Sequence, residues 1–232
     1  MNKIDRRHKY GIMLDTETAN TICENGKMNM DDVLPYDFGF AVIDSHGRQY
    51  EHFSFVNSDI FVHEKELMQS AYYAKKIPQY LEDLKAGKRK MANTYEIRKI
   101  LLDKMKEYNC SFVCAHNARF DYRACNNIQR YTTKSKYRFF FPYGVEWWDT
   151  LKMVRDVILP MPTYKTWCER NGYLTKSGKP RLTAEIIYRF ITGNNDFIES
   201  HTGLEDVRIE AEILAYCTKK HKKMRKKLFE AK

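Results

Sequence analysis

The sequence has few of the features that mark membrane or secreted proteins. No apolar stretch in its 232 residues approaches the roughly 20 residues that a membrane-spanning helix needs. The first apolar run, residues 11–14, follows a charged N-terminal segment and is too short for a signal peptide. None of the six cysteines forms a Cys-x-x-Cys pair or a Cys/His group with zinc-site spacing. We therefore expect a cytoplasmic protein with free thiols and no membrane partner.

The composition indicates a folded protein with a polyanionic partner. The apolar fraction of 43% and the aromatic fraction of 14% are enough for a hydrophobic core. Forty Lys and Arg against 30 Asp and Glu give a net charge of +10, which favours binding to polyanions. Seven of the basic residues form one C-terminal run: Lys219, Lys220, Lys222, Lys223, Arg225, Lys226 and Lys227. The run is either a solvated helix end or a nucleic-acid contact.

The apolar pattern predicts an α/β fold in which helices pack on a mixed sheet. Continuous or alternating apolar runs predict strands at 10–14, 38–43, 50–56, 111–115 and 145–148. Helical spacing or capping signals predict helices at 64–85, 95–108, 119–130, 164–171, 184–192 and from Gly203 onward. Without repeats or low-complexity linkers, we predict one domain, residues 1–218, and a basic helical tail, residues 219–232.

Two connections in this pattern are predicted to be loops. Residues 18–35 are polar and contain Asn-Gly, which favours a long loop. Residues 85–90 are basic and are predicted to form a solvated connection with a minor chance of phosphate contact.

Two carboxylates follow the first predicted strand. Asp15 and Glu17 are two residues apart, so on an extended chain they point the same way, roughly 7 Å apart. Open α/β sheets place their functional sites at this carboxyl end of a central strand. Such a pair can bind a divalent metal through hard oxygen ligands. The pattern Asp-x-Glu is common by chance, and its position after an apolar strand is what favours a functional role.

Two further polar segments carry candidate residues. After the strand at 111–115, Asp121 falls about one turn into a helix; Asn117 could simply be its cap and Phe120 a core residue. Near the C-terminus, His201 precedes Asp206 by five residues, at the start of the last helix. Taken singly, Asp206 could complement the helix dipole and His201 could be a surface residue.

In their order and context, the three segments resemble the motifs of the DEDDh family of 3′→5′ exonucleases. The first family motif matches at Asp15 and Glu17, the second at residues 117–121, and the third at His201 and Asp206. Thr202 stands where a sister subgroup has tyrosine. The family includes the proofreading subunit of bacterial replicative polymerase, ribonuclease T and oligoribonuclease. The resemblance covers residues 10–216, which is nearly the whole chain.

The resemblance implies a metal-dependent hydrolase on a ribonuclease H-like fold, with a mixed sheet of about five strands and flanking helices. Asp15 would bridge two divalent ions, Mg²⁺ or Mn²⁺, because an all-oxygen site suits these ions and does not suit zinc. Glu17 and Asp206 would complete the site of the ion that binds the attacking water, and Asp121 would hold the second ion. His201 would act as the general base, because its unperturbed pKa lies near neutral pH.

The resemblance also implies a substrate and partners. The substrate would be single-stranded DNA or RNA, hydrolysed from its 3′ end to nucleoside monophosphates. The resemblance also allows a polymerase or another replication protein as a partner. The residues expected to contact the substrate are Thr16, Thr18, Asn117 and Phe120.

The sequence departs from the family in two places and leaves two other functions open. Thr18-Ala19-Asn20 replaces the usual Thr-Thr-Gly and continues into the loop, and residues 131–144 add an aromatic, basic stretch. That stretch is either a hairpin over the site or packing alone. The other functions are a non-catalytic nucleic-acid-binding module on the same fold and a ribonuclease H-like endonuclease.

Overall fold

The computed structural model describes residues 4–20, 31–71, 73–133 and 139–229. In these ranges the strands are Tyr10–Ala19 (β1), Leu34–Asp44 (β2), Gln49–Asn57 (β3), Lys90–Ala92 (β4), Phe112–Ala115 (β5) and Glu146–Asp149 (β6). The helices are Ser58–Phe61 (α1), Lys65–Gln69 (α2), Ile77–Lys85 (α3), Thr94–Tyr108 (α4), Arg119–Thr132 (α5), Thr150–Val157 (α6), Pro162–Arg170 (α7), Ala184–Thr192 (α8) and Gly203–Lys219 (α9), with a 3-10 turn at Ala74–Lys76. None of these helices is long and apolar enough to cross a membrane.

The strands form one mixed sheet in the order β4-β3-β2-β1-β5-β6. β2 pairs antiparallel with both β1 and β3, whereas β1, β5 and β6 run parallel to one another. The predicted mixed α/β sheet is confirmed, and the number of strands is six rather than about five. The added strand is β4, a three-residue edge strand parallel to β3.

Alternating side chains of the sheet enter two hydrophobic cores, one on each face. Ile12 and Leu14 of β1 pack with residues of α4 and α5, whereas Met13 packs with residues of α6 to α9. This alternation follows from the two-residue period of a strand. Because both faces of β1 are covered, its apolar run is continuous, as the sequence predicted.

β1 is longer than predicted, and this changes the setting of the first motif. Asp15 and Glu17 lie inside the strand, where they are the register partners of Gly39 and Asp37 on β2. After a bulge at Glu17/Thr18 the pairing continues to Ala19, opposite Leu34. The predicted loop at 18–35 is therefore wrong at both ends, because strand pairing extends there. Residues 21–30 of that loop lie outside the described residues.

The segments predicted as one helix, 64–85, and as a solvated loop, 85–90, are more complex. The helical segment divides into α2, the 3-10 turn and α3. Helix α3 begins at Ile77 and has Pro78 in its first turn, where proline is favoured. In the loop, Arg89 is buried, with 5% of its surface exposed. The solvated prediction is wrong for Arg89, because buried Asp37 pairs with it at 3.2 Å.

The predicted helical tail is wrong for the described residues after α9. The chain returns to the edge of the sheet, where Lys227 forms an antiparallel bridge with Trp148. The amide of Leu228 donates to the Trp147 carbonyl at 2.7 Å, and the Asp149 amide donates to the Lys226 carbonyl at 2.8 Å. An edge strand presents unpaired backbone groups, and the tail covers those of β6.

In the described part of the aromatic stretch, residues 139–144, Phe140 and Phe141 pack into the protein, whereas Phe139 and Tyr143 are exposed. Phe140 is fully buried and stacks on Phe38, with ring centroids 5.8 Å apart. Its amide donates to Asn126 at 3.0 Å, and its carbonyl accepts from Arg98 at 2.6 Å. Of the two interpretations of this stretch, a hairpin over the site or packing alone, the contacts of Phe140 support packing. Residues 134–138 lie outside the described ranges.

Candidate active site

The three sequence motifs meet at one cavity, whose volume is about 610 Å³. β1 supplies Asp15 and Glu17. The turn after β5 and the first turn of α5 supply the second motif, and the loop before α9 together with its first turn supplies the third. β1 and β5 are parallel neighbours, so their carboxyl ends meet at the same edge of the sheet. The sequence-predicted residues on the cavity wall are Asp15, Thr16, Glu17, Asn117, Phe120, Asp121, His201 and Asp206.

Asp121 is held in the cavity by the residue between the two β1 acids. The backbone amide and the hydroxyl of Thr16 both donate to Oδ1 of Asp121, at 3.1 and 2.9 Å. Asp121 is 2% exposed. Thr16 therefore fixes one oxygen of this carboxylate.

Adjacent acids at the start of α9 face different partners. Glu205 accepts from the Thr202 hydroxyl at 2.6 Å and from Arg89 at 3.1 Å. Asp206 is buried and lies on the cavity wall. Glu205 therefore takes part in the ionic network around Arg89, and Asp206 is the acid directed to the site, as the third motif requires.

His201 is half-buried and is constrained on several sides. Its backbone has a φ of 49°, in the left-handed region. Its ring stacks on Tyr73, with centroids 4.6 Å apart and planes 17° apart. Lys76 donates through Nζ to the carbonyls of Ser200 and His201, the latter at 3.3 Å. His201 is therefore held in place, unlike a freely exposed loop histidine.

Burial and crowding change the pKa values of the acids in the cavity. Burial, followed by repulsion from Glu210, Asp121, Asp206 and Glu17, raises the pKa of Asp15 well above its usual range. Burial is also the main cause that raises the pKa of Asp121 to about 7 and that of Asp206 to about 8. Positive charge placed between these carboxylates would lower their pKa values and favour their ionised forms.

The donor set fits divalent cations. Glu17, His201 and Asp206 each offer a ligand atom, and these atoms lie within 4.8 Å of one another.

Burial, followed by the charge of Lys76, lowers the pKa of His201, so its imidazole is neutral at neutral pH and able to accept a proton.

Glu210 is a site residue that the motif comparison missed. It is 3% exposed, lies on the cavity wall one turn after Asp206, and accepts a hydrogen bond from the His116 amide at 3.1 Å. The four-residue spacing of two acids on one helix face was the available signal. Tyr73, Lys76 and Glu199 also surround the site, and their sequence context carries no comparable signal.

The second motif is organised by its backbone and by His116. Asn117 has a φ of 64°, and its amide donates to Asp149 at 3.1 Å. The helix-cap reading of Asn117 is wrong, since Ala118 occupies the N-cap position of α5. Nδ1 of His116 lies 2.9 Å from the Thr150 hydroxyl, and its Nε2 lies 2.8 Å from the Leu182 carbonyl.

Of the residues predicted to contact substrate, Phe120 lies on the cavity wall, whereas Thr18 does not line the cavity in the described chain. Phe120 is partly exposed on the cavity wall and, among the described residues, belongs to neither hydrophobic core. The side chain of Thr18 is buried, at 5% exposure, and Thr18 is not among the residues lining the cavity in the described chain.

Comparison with known proteins shows similarity in structure and none in sequence. No family model matches the sequence, and no match is found among curated proteins. A 3′-exonuclease whose structure concerns 3′-end recognition of a histone mRNA stem-loop is similar, with a TM-score of 0.58 and 11% identity over 94% of this chain and 85% of that chain.

Two other solved structures have the same fold. The nuclease domain of 3′hExo, a DEDDh family member bound to rAMP, has a TM-score of 0.54 and 13% identity over 96% of this chain and 98% of that one. Exonuclease I of E. coli, with a dT13 oligonucleotide, has a TM-score of 0.53 and 14% identity. It is matched over 92% of this chain and 41% of that chain. The resemblance to the DEDDh exonucleases is thus confirmed at the level of the fold.

Proposed function

We propose that the chain is a metal-dependent 3′→5′ exonuclease that hydrolyses single-stranded nucleic acid and releases nucleoside monophosphates. The observation that carries the proposal is the convergence of Asp15, Glu17, Asp121, Asp206 and His201 on one cavity. The structurally similar proteins were solved with rAMP, a histone mRNA stem-loop or a dT13 oligonucleotide. Both RNA and DNA are therefore candidate substrates. A polymerase or replication partner stays a prediction of the resemblance alone.

Asp15, Glu17, Asp121 and Asp206 would hold two divalent cations, Mg²⁺ or Mn²⁺. Carboxylate oxygens are the ligands that these hard cations prefer. Burial, followed by repulsion from neighbouring carboxylates, raises the pKa values of the four acids, and bound cations would offset both effects. When bound, the cations would favour ionisation of the attacking water and stabilise negative charge on the phosphate oxygens.

The protein's own residues would orient the reactants and move one proton. His201 would take a proton from the water as its oxygen bonds to phosphorus, and the bond from phosphorus to the 3′ oxygen of the preceding nucleotide would break. That oxygen would take up a proton, leaving a shortened strand and a nucleoside 5′-monophosphate. Asn117, Phe120 and the backbone around Thr16 would contact the terminal nucleotide, because they line the cavity. Thr18, which lies outside that wall, is left out of the proposed contacts.

A purely structural role for the acids is less well supported. Structural buried acids are normally paired, as Asp37 is with Arg89 at 3.2 Å. Asp15 instead has other carboxylates as its main charged neighbours, and each of them raises its pKa. Such an arrangement destabilises the fold unless a cation binds. This contrast favours catalysis over a binding module that uses the same fold.

The test is a time course on single-stranded DNA and RNA oligonucleotides labelled at the 5′ end, with Mg²⁺, Mn²⁺ or a chelator. We expect a ladder that shortens from the 3′ end and is lost both with chelator and in Asp15→Ala. Retained binding with no product under any metal would support the binding module instead. Cleavage of a closed circular single strand would support the endonuclease, because an exonuclease needs an end.

A further inference from the structure

A second carboxylate, outside the four acids of the motifs, faces the proposed base. Glu199 lies two residues before His201, and its Oε2 is 3.5 Å from Nδ1 of His201. Glu199 is half-buried and lies on the wall of the same cavity. Among the ion pairs of the described residues, His201 is the only partner of Glu199.

The segment that carries Glu199 is fixed to α8. The Glu199 amide donates to Oε2 of Glu185 at 3.4 Å. Glu185 forms an ion pair with Arg189, which also donates to the carbonyl of Phe197 at 2.6 Å and to the hydroxyl of Tyr173 at 2.7 Å. Arg189 therefore balances the charge of Glu185, whose carboxylate, like that of Glu199, lies within 4.8 Å of a ring nitrogen of His201. The carboxylate of Glu199 faces Nδ1 of the imidazole.

The plane and the edge of the His201 ring are constrained by different residues. Tyr73 stacks on its face at 4.6 Å, which restricts the tilt of the ring. Glu199 faces Nδ1 on the edge, which restricts rotation within that plane. On the side of the metal-binding acids, a ring nitrogen of His201 lies within 4.8 Å of carboxylate oxygens of both Glu17 and Asp206. Two groups of carboxylates thus lie close to the ring nitrogens of His201.

We propose that Glu199 is the positioning residue of His201: its carboxylate accepts the Nδ1 proton and leaves the Nε2 lone pair free for the attacking water. This inference rests on the proposed exonuclease function. The tautomer of a histidine is set by the hydrogen bond that its other nitrogen makes, and a 3.5 Å separation can shorten when substrate binds.

The same carboxylate stabilises the product of proton transfer. When Nε2 takes the proton, the ring becomes an imidazolium whose Nδ1 proton already faces Glu199. An acid in this position stabilises that charge without being protonated itself. Burial, with Glu185 next to it, raises the pKa of Glu199 to about 7. The positive charge of the imidazolium would lower this pKa and so favour the carboxylate form of Glu199.

Turnover provides the first test, with Glu199→Ala, Glu199→Asp and a control, Glu212→Ala, whose exposed acid is not on the cavity wall. We expect Glu199→Ala to lower kcat by about 10- to 100-fold, a part of what a general base contributes, while KM for the oligonucleotide stays nearly constant. Glu199→Asp should recover part of the loss, and Glu212→Ala should match the wild type. An unchanged kcat in Glu199→Ala, or a loss entirely in KM, would overturn the proposal.

The imidazole tautomer provides a second test that needs no activity. Long-range ¹⁵N NMR spectra distinguish Nδ1–H from Nε2–H, and His201→Ala identifies the resonances of His201. We expect the Nδ1–H form in the wild type and its loss in Glu199→Ala; an Nε2–H form in the wild type would overturn the proposal even if the variant did not fold. Absence of hydrolysis by the wild-type protein would instead contradict the exonuclease function, and the NMR result would still test the position of the ring.

Discussion

Gly39 of β2 and Gly203 of α9 are in direct backbone contact. A Cβ added to Gly39 would lie 1.9 Å from the carbonyl carbon of Gly203, and one added to Gly203 would lie 2.5 Å from the amide nitrogen of Gly39. Gly39 is also the register partner of Asp15. This contact therefore sets how closely the first turn of α9, which carries Asp206, approaches Asp15.

Gly39→Ala should both destabilise the fold and lower the rate of hydrolysis. The new methyl group would meet backbone, which cannot move aside as a flexible side chain can, so we expect a loss of about 3 kcal/mol or more. Thermal unfolding and the oligonucleotide assay measure the two effects. The control is Gly87→Ala, where a Cβ meets nothing within 4 Å and the cost is the positive φ of 70°, about 1–2 kcal/mol. Equal losses in the two variants would contradict the role of the contact.

His201→Ala should remove most of the rate and keep metal binding. A general base contributes about 10²- to 10⁴-fold, whereas the four carboxylates remain in place to bind cations. Single-turnover kinetics measure the rate, and calorimetric titration with Mn²⁺ measures binding. If the variant lost Mn²⁺ affinity to the same extent as Asp15→Ala, His201 would be a metal ligand rather than the base.

The stability of the metal-free protein should rise as the pH falls through about 8 and 7, the raised pKa values of Asp206 and Asp121. The folded state binds protons there that the unfolded state does not, so these groups destabilise the fold at higher pH. Thermal unfolding in chelator measures the trend, which Asp206→Asn should weaken. Saturating Mg²⁺ should raise Tm most at high pH, because it stabilises the ionised carboxylates. A flat profile in chelator would contradict the crowding of acids.

Arg89→Met should be strongly destabilising, although Arg89 lies in a basic run. It would leave Asp37, which is fully buried, without its ion pair at 3.2 Å, and loss of one partner of a buried pair costs about 3–5 kcal/mol. Lys88→Ala is the matched control in the same run, since Lys88 is 73% exposed and should change stability by less than about 0.5 kcal/mol. Urea unfolding compares the two. Asp37 also accepts hydrogen bonds from the Tyr80 hydroxyl at 2.7 Å and from the Gly203 amide at 3.0 Å. A small effect of Arg89→Met would show that these two bonds are enough for the buried carboxylate.

Leu228→Ala should destabilise the protein by about 2–3 kcal/mol, because Leu228 belongs to the returning tail, is 6% exposed and packs in the core. Lys223→Ala, at an exposed position of the same tail, should leave Tm unchanged. The measurement is thermal unfolding of both variants. Equal Tm values would indicate that the tail does not dock on β6 in solution.

The motif residues could be predicted because each signal is local. Asp15 and Glu17 follow a continuous apolar run, and His201 and Asp206 are separated by a spacing within one segment. Such patterns depend on residues that are close in the chain. The apolar runs at 38–43 and 50–56, which lie within β2 and β3, were predicted for the same reason.

Most of the missed contacts join residues that are far apart in the chain. Glu210 bonds the amide of His116, and Arg89 pairs with Asp37, at separations of 94 and 52 residues. The tail was predicted to be helical, and nothing in its own sequence indicates that it would pair with the edge of β6.

The sequence by itself indicated the candidate site residues, since Asp15, Glu17, Asp121, His201 and Asp206 belong to three motifs that resemble those of the DEDDh family. Only the tertiary structure decided how they are supported. Thr16 holds Asp121, Tyr73 stacks on His201, and the contact of Gly39 with Gly203 brings Asp206 to Asp15. These relationships arise when separate elements pack against one another, and packing depends on the shape and charge of surfaces that no single segment contains.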